Sequence, residues 1–351
     1  GVRSREGTGS REGDRHVRHF LDLQELAEEE MVDIFKYAAE LKDISTGVKI
    51  PRLLEGKSMV MIFDQPSLRT HSSFQSGFEM LGGNVVFYHA DDVGLGVRES
   101  LADVAQVISR FHDIAVLRLQ NHTELCLFAS YATIPVINAL THYLHPTQVL
   151  SDLFTITEHF DDPRNTTLGF LKDFTLSFLG DIGNNMARSF VNAPINTLLN
   201  VRLVGPPSSF SDANPVRTLT PHFPRKQSKI YNPVSVQKVH EAVRGSHVLY
   251  TDAWVSMGDD KHGKGGEDMA PFKVTYDLLR ATNVRETIVM HCLPAHRGEE
   301  IEDAVMDSRH SVVYTQAENR KFVQTALVVF LLRHAGLTSS VLPSGVDLNV
   351  V

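Results

Sequence analysis

The chain has 351 residues, with Lys+Arg 34 against Asp+Glu 42, a net charge of -8 and 42% hydrophobic residues. That length is too great for one comfortable core and predicts two domains, and the acidic balance excludes a general nucleic-acid binder, so any anionic ligand must be held by local positive charge. Two cysteines, Cys126 and Cys292, are too few for a disulfide framework and point to a reducing compartment, and no apolar run approaches the roughly 20 residues of a membrane span.

The opening stretch, GVRSREGTGSREGDRHVRH, is rich in Gly, Ser and Arg and has no apolar segment, so residues 1–18 read as a flexible extension and not as a secretory signal. From Phe20, FLDLQELAEEEMVDIFKYAAELKD carries apolar residues at helical spacing. KSMVMIFDQPS is an apolar run of strand length. SLRTHSSFQSGFEML then predicts a helix with Ser67 near its N-cap and Gly82-Gly83 after its end. NVVFYHA, IAVLRL and IPVINAL read as further strands, with SLADVAQVISRF and CLFASYA as helices between them. HPTQVLSDLFTITEHF predicts a long helix with Pro146 in its first turn. The alternation then restarts, with FTLSFLG, NVRLVGP, SHVLYTDAW and TIVMHCLP as strands and NNMARSFVNAPINTLL and VSVQKVHEAVRG as helices. Residues 206–233 carry many Pro and Ser and read as an irregular excursion, residues 258–268 as a glycine-rich mobile loop, and AENRKFVQTALVVFLLRHAG as a final helix. Such alternation predicts an α/β fold of two doubly wound parallel-sheet domains joined by long helices. The expected divisions are an extension over 1–18, a first domain over 19–150, a second over 151–317, a helix over 318–336 returning to the first, and a tail over 337–351.

In parallel α/β folds, ligands bind at the carboxyl ends of the strands. The residues there are Ser67 to Thr70, Arg118, Asn138, His145 to Gln148, Asn184-Asn185, Asp252 to Gly258 and His291 to Arg297, a set rich in anion-binding side chains. Ser67 and Thr70 at a helix start, with Arg69 between them, suit a phosphate, and the same residues also read as a plain helix cap. Arg118 is equally readable as a solvated charge, Asp252 as a turn former and Cys292 as a buried inert thiol, the commonest role of a free cysteine. GDIGNN supplies only Gly180 and Gly183 of the G-x-G-x-x-G fingerprint, and no acidic residue ends the next strand, which counts against nicotinamide binding.

Taken in order, SLRTHSSF, LGVRESLADVAQVISR, HPTQVLSD, GDIGNNMARS, TDAWVSMG, HCLPAHRGEE and QAENR resemble the ornithine carbamoyltransferases, within the aspartate/ornithine carbamoyltransferase superfamily, from about His19 to about Gly336. The S-x-R-T and HPTQ stretches carry the superfamily resemblance, and D-x-W-x-S-M-G with HCLP the ornithine branch. The resemblance implies transfer of the carbamoyl group of carbamoyl phosphate to the δ-amine of L-ornithine, giving L-citrulline and phosphate, with no metal and no organic cofactor. It implies that Ser67, Leu68, Arg69 and Thr70 hold the phosphate, and that Arg118, His145, Gln148 and Arg320 surround the phosphate and the carbamoyl group. By the same resemblance, Asn185, Asp252, Ser256 and Met257 bind the amino-acid end of ornithine, and Cys292, a thiolate-capable group, and Leu293 sit where the δ-amine meets the carbamoyl carbon. Arg69, Arg118, His145, Asp252 and Cys292 are the expected catalytic set, while His296 and Arg297 are expected to shape the turn. A homotrimer or a multiple of trimers, no nucleic-acid or membrane partner, and a cytoplasmic location with the mitochondrial matrix as alternative complete the expectation.

Two positions depart from the family pattern. Many members have a second arginine after S-T-R-T where this chain has His71, and some carry a basic or imidazole side chain before LG, reaching a neighbouring subunit, where this chain has Gly94. Other readings are a sister transferase using putrescine or an acylated ornithine, a weakly active binding or regulatory paralogue, and a Rossmann oxidoreductase. The intact S-M-G argues against the first, and Arg69, His145, Asp252 and Cys292 against the second.

Overall fold

A computed structural model describes residues 17–47, 50–164, 166–206, 229–231, 236–254 and 268–338. Helix α1 (Glu28–Ser45) precedes a first sheet of β1 (Ser58–Phe63), β2 (Asn84–His89), β3 (Ile114–Arg118) and β4 (Val136–Leu140), ordered β2-β1-β3-β4 and parallel throughout. Helices α2 (Leu68–Met80), α3 (Ala90–Val93), α4 (Leu101–Phe111) and α5 (His122–Tyr131) lie on the connections. A parallel strand covered on both faces needs an unbroken apolar run. In β1, Met59, Met61 and Phe63 enter one core while Val60 and Ile62 enter another on the opposite face. The strand order reverses between β1 and β3, and the chain leaves these neighbours in opposite directions, opening a crevice at their carboxyl ends.

Helix α6 (Pro146–Phe160) leads to a second sheet of β5 (Thr175–Leu179), β6 (Asn200–Val204), β7 (Lys229–Tyr231), β8 (Val248–Thr251) and β9 (Ile288–His291), ordered β7-β6-β5-β8-β9 and again parallel. Helices α7 (Asn185–Thr197), α8 (Val236–Val243), α9 (Tyr276–Ala281), α10 (Asp303–Met306) and α11 (Val313–His334) accompany it. Phe178 and Tyr250 enter the core that also holds α6, while Leu179 and Leu249 enter a separate one. Here the reversal falls between β5 and β8. Helix α11 packs on α1, α2 and α6.

Three stretches differ from the expectation. Helix α1 starts at Glu28 and not at Phe20, because Phe20 joins the edge of β4: its N–H donates to Val136 O at 2.8 Å and its carbonyl accepts from Asn138 N–H at 2.8 Å. Backbone groups spent on a strand edge are not available to a helix. Within 206–233, Lys229–Tyr231 form the edge strand β7, Arg202 pairing with Lys229, while residues 207–228 and 232–235 lie outside the described residues. The last helix starts at Val313, ahead of 318, with no side-chain cap at Val312 to mark it.

Helix α6 is the joint between the sheets. Its residues 146–157 are all buried, and the hydroxyls of Ser151, Thr155 and Thr157 donate back to carbonyls of the preceding turn. Its buried carboxylate, Asp152, is held from three sides. Gln148 Nε2 donates to Oδ1 at 2.9 Å, Gln316 Nε2 to the same oxygen at 2.8 Å, and the Tyr250 hydroxyl to Oδ2 at 2.8 Å. Helices α6 and α11 and strand β8 thus meet on one carboxyl group. Burial pushes Asp152 up to about 7, against the pull of those three bonds. A folded-state value above the unfolded one means that the native state keeps this proton when the unfolded chain has lost it. The contribution to stability is therefore full below the ordinary carboxylate range and falls as pH rises toward 7, by at most about 1.4 kcal/mol per pH unit. Asp152→Asn has no charge to bury, so its thermal midpoint should rise relative to the parent's between about pH 5 and about pH 7. Paired calorimetric scans check this, and a midpoint gap that does not change with pH counts against it.

Candidate active site

The two crevices face one cavity of about 580 Å³. Ser67, Leu68, Arg69 and Thr70 after β1, Arg118 at the end of β3, and His145 and Gln148 at the start of α6 line one side of it. Asn185, Asp252, Cys292 and Leu293, beyond β5, β8 and β9, line the other, and Arg320 reaches in from α11. Ser256 and Met257 lie outside the described residues, as do 255–267 generally.

Ser67 has the extended backbone of an N-cap, and its hydroxyl accepts from Thr70 N–H at 3.3 Å. The cap and the anion readings are compatible, since the capping oxygen keeps its own proton to donate and the first turn of α2 keeps free N–H groups. Arg320 Nη2 donates to Thr70 Oγ1 at 2.9 Å, and Gln324, with its amide oxygen turned to the guanidinium, accepts from Arg320 Nη2 at 3.3 Å and Nε at 3.2 Å. Both partners are neutral. Among the described residues Arg69, Arg118 and Arg320 make no ion pair, and Arg118 Nε is buried without a hydrogen bond. Burial pulls Arg118 down to about 10, with Asp64 opposing and Arg69 adding to the fall. Burial, then Arg69 and Arg118, pull Arg320 down to about 10. His145 is held well below the ordinary histidine value by burial and then by the same three cations, so its imidazole is neutral. Three guanidiniums that make no ion pair among the described residues, a neutral imidazole and a helix N-terminus together suit a multiply charged anion.

Across the cavity, Asp252 Oδ1 accepts from the Cys292 thiol at 3.0 Å and from Ala253 N–H at 2.8 Å, while Oδ2 accepts from Asn184 Nδ2 at 3.0 Å. Burial, and then the Asp252 charge, push the Cys292 thiol well above its usual value. The expectation of a thiolate-capable Cys292 is corrected here: the sulfur donates to a carboxylate and keeps its proton. Asp252 is itself raised by burial, with His291 and the thiol hydrogen bond opposing. Leu293 N–H donates to His291 Nδ1 at 2.9 Å, so His291 carries its proton on Nε2 and gives it to Glu300 Oε1 at 3.0 Å. Asp252, His291 and Cys292 bring ligand atoms within 4.8 Å of one another, but both ring nitrogens of His291 are already occupied by these bonds. His296 borders the cavity as well as shaping the turn, whereas Arg297 pairs with Asp307 at 2.7 Å outside it.

The resemblance assigned a substrate contact to Asn185 and none to Asn184, its neighbour at the same strand end. Asn185 Nδ2 is committed to Thr141 O at 2.8 Å, while Asn184 both holds Asp252 and caps α7, its Oδ1 accepting from Ala187 N–H at 2.8 Å. Arg188 and His142 also line the cavity, and Arg188 donates to Gly183 O at 2.6 Å and to His142 O at 3.1 Å. The signal for Arg188 was its place three residues after Asn185, on the same helix face. The first glycine of GDIGNN has a packing reason. Gly180 has φ 111°, and a Cβ there would meet Trp254 Nε1 at 3.0 Å. His71 stacks on Phe87 at 4.3 Å between centroids, and Gly94 closes α3 in the left-handed region at φ 67°. Neither borders the cavity.

Residues 18–158 match the family described as aspartate/ornithine carbamoyltransferase, carbamoyl-P binding domain, and residues 172–331 match its Asp/Orn binding domain. The chain is 36% identical over 318 residues to the ornithine carbamoyltransferase of Archaeoglobus fulgidus, an alignment covering 90% of this chain and 98% of that one. Among solved structures it is similar to ornithine carbamoyltransferase from Pyrococcus furiosus, at 35% identity and a TM-score of 0.78 over 89% of this chain and 96% of that one. It is also similar to a mitochondrial ornithine carbamoyltransferase from Coccidioides immitis, at 28% identity and a TM-score of 0.78 over 92% and 100% of the two chains. With both domains matched in order over the two sheets that face the cavity, the chain belongs to the aspartate/ornithine carbamoyltransferase family.

Proposed function

We propose that the protein transfers the carbamoyl group of carbamoyl phosphate to the δ-amine of L-ornithine, giving L-citrulline and phosphate. The observation that carries this is the division of the cavity into three guanidiniums that make no ion pair among the described residues on one side and Asp252, held beside a neutral thiol, on the other. Ser67, Arg69 and Thr70, with the Leu68 backbone, take the phosphate oxygens, and Arg118 and Arg320 balance the charge. Gln148 Oε1, buried and without a donor among the described residues, accepts from the carbamoyl NH2.

The amine must attack unprotonated. With a lysine-like pKa of about 10.4, losing its proton near neutral pH costs roughly 4–5 kcal/mol. Attack on the carbamoyl carbon forms the C–N bond and puts negative charge on the carbonyl oxygen, where Arg118, the Thr70 hydroxyl and neutral His145 are the available donors. The bond from carbon to the bridging phosphate oxygen then breaks, and the amine proton leaves with the phosphate. Asp252 and Ser256 meet the α-amine of ornithine, Asn185 and the Met257 N–H its carboxylate, and Cys292 and the Leu293 carbonyl border the δ-amine. We extend the proposal to a homotrimer, to arginine biosynthesis and to the cytoplasm, with the mitochondrial matrix as alternative. Exposed Val107 and Phe111 on α4, beside Leu127 and Tyr131 on α5, support self-association. The prokaryotic relatives support the cytoplasm.

Arg69→Ala should remove a charge-assisted contact to phosphate, worth at least about 1.5–3 kcal/mol, and lower kcat/KM by roughly one to two orders of magnitude with the fold intact. A colorimetric citrulline assay beside circular dichroism reads both, and near-parental turnover would reduce Ser67–Thr70 to a helix cap.

Specificity gives the second test. Putrescine keeps the carbon spacing to the reacting amine but has no carboxylate, so Asn185 and the Met257 N–H lose partners. At about 1–3 kcal/mol for each polar group left without a partner in the complex, ornithine should be preferred by roughly two to four orders of magnitude in kcat/KM. Asp252→Asn should cut ornithine use strongly, because it removes the charge facing the α-amine. Equal use of both amines by the parent moves the assignment to a putrescine enzyme.

A further inference from the structure

Gln148 lines the cavity, is 1% exposed, and has an amide oxygen without a partner among the described residues. A glutamine amide presents two ends of like shape and opposite polarity, so whatever stands behind it decides which end meets a ligand. Behind Gln148 stands Asp152, whose Oδ1 accepts from Gln148 Nε2 at 2.9 Å. The polarity of that contact is set one layer deeper. His291 N–H donates to Gln316 Oε1 at 2.9 Å, which obliges Gln316 to present its nitrogen to Asp152 Oδ1, at 2.8 Å. The Tyr250 hydroxyl holds Oδ2 at 2.8 Å. Asp152 Oδ1 is therefore an acceptor to both amides, and Gln148 has no choice but to turn its oxygen to the cavity.

We infer that Asp152 is a positioning residue for the donor substrate: by fixing the Gln148 amide with its oxygen toward the cavity, it makes the site select an acyl phosphate that carries an N–H donor on its carbonyl carbon. The inference rests on the carbamoyl-phosphate reading and adds the origin of its selectivity. With the amide reversed, two N–H groups would face the NH2 of the substrate, and a methyl group in that place would be as welcome.

Two stable mimics isolate this contact. Phosphonoacetamide and acetonylphosphonate share the phosphonate and the carbonyl and differ in NH2 against CH3. Titration calorimetry of the parent should show the amide bound about threefold to tenfold more tightly, the worth of one neutral hydrogen bond. Asp152→Asn should keep that preference, because Gln316 forces the introduced amide to turn its oxygen to both glutamines. Asp152→Leu has no acceptor and should bring the ratio near one, while inorganic phosphate, which engages Ser67, Arg69 and Thr70, binds as in the parent. An unchanged ratio in Asp152→Leu overturns the inference, as does a parent without preference. Should Asp152→Leu fail to bind phosphate, the comparison passes to Asp152→Asn with and without Gln316→Met. Freed of Gln316, the introduced amide can turn, and the preference should fall only in the double variant. A preference that the double variant keeps overturns the inference. If the parent binds neither phosphonoacetamide nor carbamoyl phosphate, the carbamoyl-phosphate reading fails first and takes the inference with it.

Discussion

Positive charge drawn together without a direct ion pair is the constraint on which the rest of this structure turns. Arg69, Arg118 and Arg320 converge on one cavity, and the groups that hold Arg320 there are a hydroxyl and an amide. Burial and mutual repulsion draw Arg118 and Arg320 down to about 10, still far above neutrality, so the guanidiniums stay charged at a cost in desolvation and repulsion. A dianion entering the site offsets that cost. His145 is neutral first because it is buried and then because the three cations disfavour a fourth positive charge beside them.

Such a cluster is possible because the fold aims strand ends from two sheets at one place. Each sheet reverses its order once, between β1 and β3 and between β5 and β8. The polar loops that follow these strands, Ser67 to Thr70 and Asp181 to Asn185, open onto the cavity. Helix α6 bridges the sheets with its first turn at the cavity and its buried flank on Asp152, and α11 contributes Arg320 to the cavity and Gln316 to the same carboxylate. The groups that bind and the groups that join the two halves are thus neighbours on the same two helices. A change in how the sheets meet is felt at Gln148 and Arg320 before it is felt elsewhere.

Much of this was legible in the sequence, for physical reasons. Apolar runs such as SMVMIF mark strands covered on both faces, and the polar residues just beyond them mark the cavity, because a parallel sheet has no other place to put them. What was not legible depends on contacts distant along the chain. Phe20 reads as helical by spacing and is taken by the β4 edge. Lys229–Tyr231 are too short for their pattern to show and become β7 through pairing with β6. Asn184 and Asn185 are adjacent and alike, and only the position of Asp252, brought in by β8, decides which of them holds it. The Cys292 thiol could be placed at a strand mouth from sequence, but its protonation is set by Asp252, forty residues away in the chain. Asp152 looks like one more polar residue on a helix until three donors from three elements are seen around it.

These protonation states bear on where the amine proton goes in the proposed reaction. A base must have a lone pair free and a pKa near the working pH. Cys292 is protonated and donates to Asp252, so it has no thiolate to offer as base or as nucleophile. Asp252 accepts from Cys292, Ala253 and Asn184 and serves better as a fixed negative charge than as a proton carrier. His145 is neutral but is held well below the ordinary value, so a proton placed on it would sit among three cations. The leaving phosphate has a second pKa near neutrality, about 6 in a phosphate ester, and, unlike Asp152, it lies in the cavity itself. It gains basicity as the carbon–oxygen bond breaks, at the moment when the amine becomes acidic. The site therefore has reason to hold its own side chains in fixed protonation states and to leave the proton to the substrates, since each arrangement that keeps the anion bound also disqualifies a neighbouring side chain as the base.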